Sequence, residues 1–103
     1  MVVVVFRSRL HPDAGAEYEQ TAERMEQLAR QQPGFVSFKS FAAADGERVA
    51  IAEFDSDDAA AAWGAHQEHR TAQKRGREKF YDEYRIQVCD TIREFSFHRD
   101  AGP

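Results

Sequence analysis

The stretch from Ser56 to Tyr84 limits the possible folds more than any other part of this chain. Its periodicity predicts one long helix, in which a single broad face collects small residues together with many polar and aromatic ones. Imidazole, indole, phenol and guanidinium groups are costly to bury without partners. We therefore expect them either to satisfy one another at an interface or to line a cavity with a polar floor. The face comprises Ala59, Ala62, Trp63, His66, His69, Arg70, Gln73, Arg77, Phe80, Tyr81 and Tyr84.

The length of this stretch predicts an interruption. A continuous helix would be roughly 40 Å long at the standard rise per residue. That is excessive for a chain of 103 residues. We therefore expect a kink or break near Gln67 to His69 or at Gly76, where glycine weakens the helix.

Composition narrows the class of protein. With 103 residues the chain is expected to form one domain over 1–99, followed by a loose tail over 100–103. Its net charge of −4 gives no electrostatic footprint for nucleic acid or an anionic membrane, so neither partner is expected. The single cysteine, Cys89, excludes an internal disulfide, and the apolar N-terminal run is too short for a signal or a membrane span. A cytoplasmic protein is expected.

The rest of the chain predicts four strands and one further helix. Tyr18, Ala22, Met25 and Ala29 recur at helical spacing, and Gln32-Pro33-Gly34 ends that helix. Asp45-Gly46 indicates a hairpin, and a bend is expected near Asp90. Alternation along the second strand places Phe35 and Phe38 on opposite faces. The predicted strands are Val2 to Leu10, Phe35 to Phe41, Arg48 to Phe54 and Arg85 to Phe97.

The order of these elements is β-α-β-β-α-β. In one antiparallel sheet this order predicts an α+β, ferredoxin-like fold with both helices on one face. Phe6, a row from the second and third strands, and the aromatic C-terminal strand are expected on the other face. Nothing else in the chain remains to cover that face, so we expect a homodimer that packs sheet on sheet.

Short motifs fall in a consistent order along this topology. Gln32-Pro33-Gly34-Phe35 opens the second strand, Phe54-Asp55-Ser56 leads into the second helix, and Trp63 to His69 lies within it. From Val2 to Phe97 the chain resembles the antibiotic biosynthesis monooxygenase superfamily of dimeric α+β barrel proteins, which includes quinol monooxygenases and haem-degrading oxygenases. The resemblance implies a pocket between sheet and second helix, where cofactor-independent members oxidise polycyclic or quinol-type aromatic substrates with molecular oxygen.

For the haem-degrading branch the resemblance implies a site of three residues: an asparagine on the first strand, a helix tryptophan and a histidine further along. Trp63 matches the tryptophan, but Ser8 and Gln73 stand at the other two positions. Haem degradation would therefore require His66 or His69 to supply the ligand from a shifted position. We expect no cofactor.

The predicted pocket is lined by the residues that the second helix and second strand bring to it. His66 and His69 are the candidate acid/base groups, because an imidazole titrates near neutral pH; alternatively they cap carbonyls or bridge the helix break. They lie one turn apart without a third ligand, so no metal is expected. Arg77, Tyr81 and Tyr84 are candidates to orient a substrate oxygen, although an arginine near a helix end with Glu78 and Asp82 close by is more often part of an ion-pair network. The full lining is Trp63, His66, His69, Gln73, Arg77, Tyr81 and Phe38.

The sequence therefore predicts a homodimeric monooxygenase that oxidises a small aromatic or quinone-like molecule without metal or bound flavin. Two alternatives stay open. One is a small-molecule binding or stress-response protein that uses the same pocket without chemistry, and the other is a haem-binding oxygenase.

Overall fold

A computed structural model describes residues 1–100 of the chain as a four-stranded antiparallel sheet with helices against one face. The strand order is β2-β3-β1-β4, and the elements follow one another as β-α-β-β-α-α-β. The predicted α+β, ferredoxin-like class is confirmed. The predicted tail, apart from Asp100, lies outside the described residues. The strands are β1 (Val2–Leu10), β2 (Phe35–Ala42), β3 (Arg48–Phe54) and β4 (Tyr81–Asp90), and the helices are α1 (Gly15–Arg30), α2 (Asp57–Ala65) and α3 (Gln67–Arg75).

The apolar core occupies one end of the helix-facing side of the sheet. Phe54 is fully buried, and Val2 lies opposite it in the register of β1 and β3. Phe35 and Phe38 both pack against this core, although strict alternation places them on opposite faces. The prediction of strict alternation is wrong, because the pairing of β2 with β3 shifts register between Phe35 and Ser37. The buried cluster consists of Val2, Leu28, Ala29, Ala52, Phe54, Ala60 and Trp63.

The long predicted helix is broken into three pieces. His66 ends α2 and begins α3, one residue before the predicted range, and Gly76 opens a π-helical turn over Gly76–Phe80. Tyr81 then starts β4, so the placement of Tyr81 and Tyr84 on the helix is wrong. Their spacing fits a helical face, but pairing with β1 draws this segment into the sheet.

The last strand also differs from its predicted bounds of Arg85 to Phe97. β4 ends at Asp90, which pairs with Val2 at the very start of β1. Among the described residues one further backbone hydrogen bond follows, from the Thr91 N–H to the Met1 carbonyl, and the chain then leaves the sheet. Three large side chains in the following segment are consequently bare, with Ile92 84%, Phe95 89% and Phe97 77% exposed.

No helix within residues 1–100 is long and apolar enough to cross a membrane.

Candidate functional site

Trp63 and His69 form the tightest aromatic pair next to the core. Trp63, on α2, is only 8% exposed and packs in the buried cluster that Phe38 also contacts. The His69 ring stacks on the indole at a centroid distance of 4.2 Å and an interplanar angle of 12°. The His66 ring lies near the same tryptophan, with 5.6 Å between the two ring centroids. Three of the predicted site residues are thus brought together at the junction of α2 and α3.

The hydrogen bonds of His69 determine which nitrogen is free to act. Its Nδ1 lies 2.9 Å from the carbonyl oxygen of Trp63. A carbonyl only accepts, so we assign the proton to Nδ1 and a free lone pair to Nε2 in the neutral ring. Burial lowers the pKa of His69, and this outweighs the opposing effect of the hydrogen bond to Trp63. The ring is therefore a neutral acceptor at neutral pH.

His66 has the complementary arrangement. Its Nδ1 accepts a hydrogen bond of 3.2 Å from the backbone N–H of Glu68 and so caps the start of α3. Because Nδ1 accepts, the proton of the neutral ring is assigned to Nε2, which is a donor. His66 thus bridges the helix break, the structural role that the sequence left open for it.

Gln73 lies on α3 and Arg77 in the π-helical turn that follows it. Both line an open depression on the outer side of α3, together with Arg70 and Lys74. The Arg77 guanidinium donates to the phenol oxygen of Tyr84 at 3.3 Å. Within residues 1–100, no carboxylate pairs with Arg77, so it does not take part in the ion-pair network considered for it. This depression thus brings together two of the seven residues predicted for the pocket, Gln73 and Arg77.

Tyr81 belongs to a second group of aromatic residues beneath the start of α1 and the π-helical turn. Its ring lies 5.4 Å from Phe6, 5.9 Å from Tyr18 and 5.8 Å from Tyr84, each edge-on. Phe6 faces the helices, because it pairs in register with Ala50, so its predicted place on the outer face is wrong. Burial raises the pKa of Tyr81 well above its usual value. The phenol stays protonated and can donate a hydrogen bond at any physiological pH.

A polar row crosses the sheet below these rings. Ser8, only 4% exposed, lies opposite Arg48 on β3 and opposite Tyr84 on β4. The Arg48 guanidinium stands over the Tyr18 ring at 5.7 Å from the centroid. Sequence analysis did not select Arg48 or Tyr18. The available signal was the strand period of two. Arg48 lies an even number of residues before the buried Ala52 and Phe54, so it shares their face of the sheet. We call this group the polar aromatic end; it consists of Phe6, Ser8, Tyr18, Arg48, Tyr81 and Tyr84.

Ion pairs hold the helices over the polar aromatic end. Glu17 of α1 accepts two hydrogen bonds from Arg75, at 2.6 and 2.9 Å, and one of 3.1 Å from Lys79. These cations lower the pKa of Glu17 to about 2. Its carboxylate therefore ties α1 to α3 and to the π-helical turn across the whole neutral range.

In the part of the chain that the structure covers, no three His, Cys, Asp or Glu side chains come together in a way that could hold a metal ion.

Known proteins resemble this chain in sequence and in fold. The family model described as antibiotic biosynthesis monooxygenase matches residues 1–75. The uncharacterized protein YqjZ of Bacillus subtilis is 38% identical over 100 residues, covering 96% of this chain and 86% of YqjZ.

Two solved structures show the same fold. Rv0793 from Mycobacterium tuberculosis superposes with a TM-score of 0.81 at 22% identity, covering 92% of this chain and 98% of that one. A variant of SnoaB, a cofactor-independent oxygenase from Streptomyces nogalater, gives a TM-score of 0.76 at 24% identity, covering 90% and 94%. With a family model over most of its length and a relative that matches nearly end to end, the chain belongs to the antibiotic biosynthesis monooxygenase family.

Proposed function

We propose that this protein is a homodimeric, cofactor-independent monooxygenase that oxidises a small aromatic or quinol-type substrate. The observation that carries the proposal is the stack of His69 on Trp63, in a member of this family. The stack holds a neutral imidazole at a fixed angle against a buried indole, with Nε2 left over for a substrate. SnoaB, whose fold is the same, is a cofactor-independent oxygenase.

The chemistry needs only a base and a shielded substrate. In a monooxygenase without a cofactor, the substrate itself loses the four electrons that O2 takes up. One oxygen atom enters the substrate and the other leaves as water with two of the substrate's hydrogen atoms, as when a quinol and O2 give a hydroxyquinone and water. Removing the proton from a phenolic or quinol oxygen makes the ring a better electron donor to oxygen. His69 Nε2 is the proposed base, since its lowered pKa keeps it unprotonated at neutral pH. The Nε2–H of His66 is the proposed hydrogen-bond donor to the substrate beside it.

The proposed substrate contacts divide by chemistry. Trp63 and Phe38 provide an apolar wall against which a planar ring can lie. Tyr81 is a neutral donor for a ring oxygen. Gln73 and Arg77 stand at the outer side of α3, where they would contact the polar edge of a bound substrate.

The proposed homodimer covers the face of the sheet that lacks helices. Val3 and Val5 of β1 alternate out of phase with the buried Val2 and lie opposite Glu53 and Ile51 of β3. The segment after β4 adds the exposed Ile92, Phe95 and Phe97. A second copy of the chain would remove these apolar groups from water.

An oxygen electrode tests the proposal directly. The purified protein is mixed with quinols and hydroxylated polycyclic aromatics in air-saturated buffer that contains a chelator and no added flavin. Oxygen uptake above the uncatalysed rate, and its loss in His69→Gln, supports a monooxygenase. His11→Gln is the matched control, because His11 also accepts a backbone N–H through Nδ1, 3.0 Å from Asp13, at a distant helix start.

The second candidate is a small-molecule binding protein without chemistry. It is favoured by the structural use of both imidazoles, since His66 caps α3 and His69 bonds to the Trp63 carbonyl. Thermal stabilisation by the same compounds with no oxygen uptake by any of them would select this alternative.

A further inference from the structure

Half of the fourteen Lys and Arg side chains are matched by a carboxylate within residues 1–100. Arg7 pairs with Glu47 at 2.9 Å, and Arg9 pairs with Asp45 at 3.0 Å. Other pairs follow the same pattern on the helices, with Arg75 meeting Glu17 at 2.6 Å. Each of these positive charges already has an anionic partner and therefore attracts a further anion less strongly.

Arg48 is different. Among residues 1–100, no ion pair or side-chain hydrogen bond of Arg48 is found. The residue is half-buried on β3, on the side of the sheet that faces the helices, opposite the buried Ser8. The Arg48 guanidinium lies over the face of the Tyr18 ring, 5.7 Å from the ring centroid. A partly desolvated guanidinium with unused donors interacts more strongly with an anion than an exposed one does.

The positive potential of Arg48 reaches the phenols around it. Its charge favours the ionised form of Tyr81, although burial outweighs this effect and holds the pKa of that phenol high. The site therefore combines a cation that has no carboxylate partner within residues 1–100 with the protonated phenol of Tyr81. Guanidinium and phenol groups both donate hydrogen bonds, so together they suit an oxygen that carries negative charge.

We propose that Arg48 receives an anionic oxygen of the aromatic substrate, a carboxylate or an acidic hydroxyl in its ionised form, with the Tyr81 phenol as a second donor. The inference rests on the proposed function and narrows its substrate class to planar aromatic acids that are anions at neutral pH. Tyr18 is half-buried, so part of its side chain is open to solvent beside Arg48.

Other cations fit this role less well. Arg77 is exposed and already donates to Tyr84. Arg70 and Lys74 are also exposed and line the outer side of α3. Water and salt screen all three, which weakens their attraction for an anion.

The test uses two naphthoquinones of nearly equal shape. 2-Hydroxy-1,4-naphthoquinone is an anion at pH 7, and 2-methoxy-1,4-naphthoquinone is neutral. Both are already oxidised, so binding is measured without turnover. Isothermal titration calorimetry gives their affinities for the full-length protein and for Arg48→Gln, Arg48→Lys and Arg77→Gln. Arg30→Gln is the matched control, because Arg30 stands over the Phe35 ring at 5.6 Å, away from the site.

The wild type is expected to bind the hydroxy compound about tenfold more tightly than the methoxy compound. Arg48→Gln should abolish this preference, Arg48→Lys should keep part of it, and Arg30→Gln should leave it intact. Arg77→Gln, at a proposed contact with the polar edge of the substrate, should weaken the binding of both compounds alike. Arg48→Met is a second uncharged variant should Arg48→Gln fail to fold. The inference is overturned if neither compound binds, if the wild type does not prefer the anion, or if the preference survives in Arg48→Gln.

The outcome is separable from that of the proposed function. Preference for the anion through Arg48, without oxygen uptake from any quinol, would leave the anion site standing and remove the monooxygenase. Oxygen uptake from neutral quinols, with no preference for the anion, would do the reverse.

Discussion

The imidazole of His69 lies flat against the indole of Trp63, and its Nδ1 meets the carbonyl oxygen of the same residue at 2.9 Å. Two contacts from one residue therefore fix both the plane of the ring and its tautomer. The same carbonyl also accepts the backbone N–H of His66 at 3.1 Å, so the His69 ring takes its second lone pair at the break between α2 and α3. The bond through Nδ1 leaves Nε2 free, and the proposed chemistry depends on that nitrogen.

Replacing His69 by glutamine should lower the rate of oxygen uptake by about a hundredfold or more, since a positioned general base contributes this much. His66→Gln should have a smaller effect, because water can partly replace a hydrogen-bond donor beside the base. Steady-state rates with a quinol substrate measure both. Equal rates in wild type and His69→Gln would assign the ring a structural role only.

The pH dependence of stability should report on the same ring. Burial lowers the folded-state pKa of His69 below its ordinary value of 6.5. Between 6.5 and that lower pKa the unfolded chain binds a proton that the folded chain does not, so stability falls as the pH drops through this window. Urea titrations from pH 7.5 to 5 should show the fall in wild type and less of it in His69→Gln. A slope that is the same in both proteins contradicts the assignment.

Glu17 should make a second contribution at lower pH. Its folded-state pKa is about 2, against an ordinary value of 4.5, so the stability from its ion pairs is present above 4.5 and is lost as the pH falls towards 2. Glu17→Gln should lower the melting temperature at neutral pH and low salt, and the difference should shrink in high salt, because the carboxylate is largely exposed to solvent. Glu23→Gln is the control, since Glu23 makes no ion pair within the described residues. An equal loss in both variants would contradict a special role for Glu17.

Local sequence patterns predicted much of this fold. The β-branched run of β1 and the alternation of Arg48 to Phe54 gave strands that the structure contains with the same bounds. Both patterns are local in the sequence. Each strand carries apolar side chains on at least one face, which is enough to predict it without knowing its partners. The helix break was also predictable, because one helix over the whole stretch is too long for a chain of 103 residues and glycine at Gly76 weakens it.

What the sequence could not predict depends on distant partners. The end of β4 at Asp90 is set by the first residues of β1, not by the apolar residues that continue to Phe97. Tyr81 and Tyr84, three residues apart, fit a helical face. In β4 they share a face only because the pairing with β1 shifts register between Arg9 and Leu10. The polar aromatic end was missed for the same reason, because Arg48, Ser8 and Tyr84 meet across three strands.

The proposed homodimer makes a separate prediction. Sedimentation equilibrium at micromolar concentration should give twice the chain mass of 11.8 kDa. Replacing Ile92, Phe95 and Phe97 by serine should shift the protein towards monomer, because these side chains are 84%, 89% and 77% exposed in a single chain and gain burial only from a partner. A wild-type monomer under these conditions would refute the dimer.

The two glycines Gly76 and Gly64 should respond in opposite ways to alanine. A Cβ at Gly76 would lie 2.7 Å from the Tyr81 ring, so Gly76→Ala must displace that ring and should cost about 1–3 kcal/mol in the free energy of unfolding. At Gly64, in α2, a Cβ would meet nothing within 4 Å, so Gly64→Ala should stabilise the protein by about 0.5–1 kcal/mol through helix propensity. Urea denaturation measures both, and near-ultraviolet circular dichroism should report a changed tyrosine environment in Gly76→Ala alone. Stabilisation by both substitutions would mean that the Tyr81 ring is not held against Gly76, and the packing of the polar aromatic end would have to be revised.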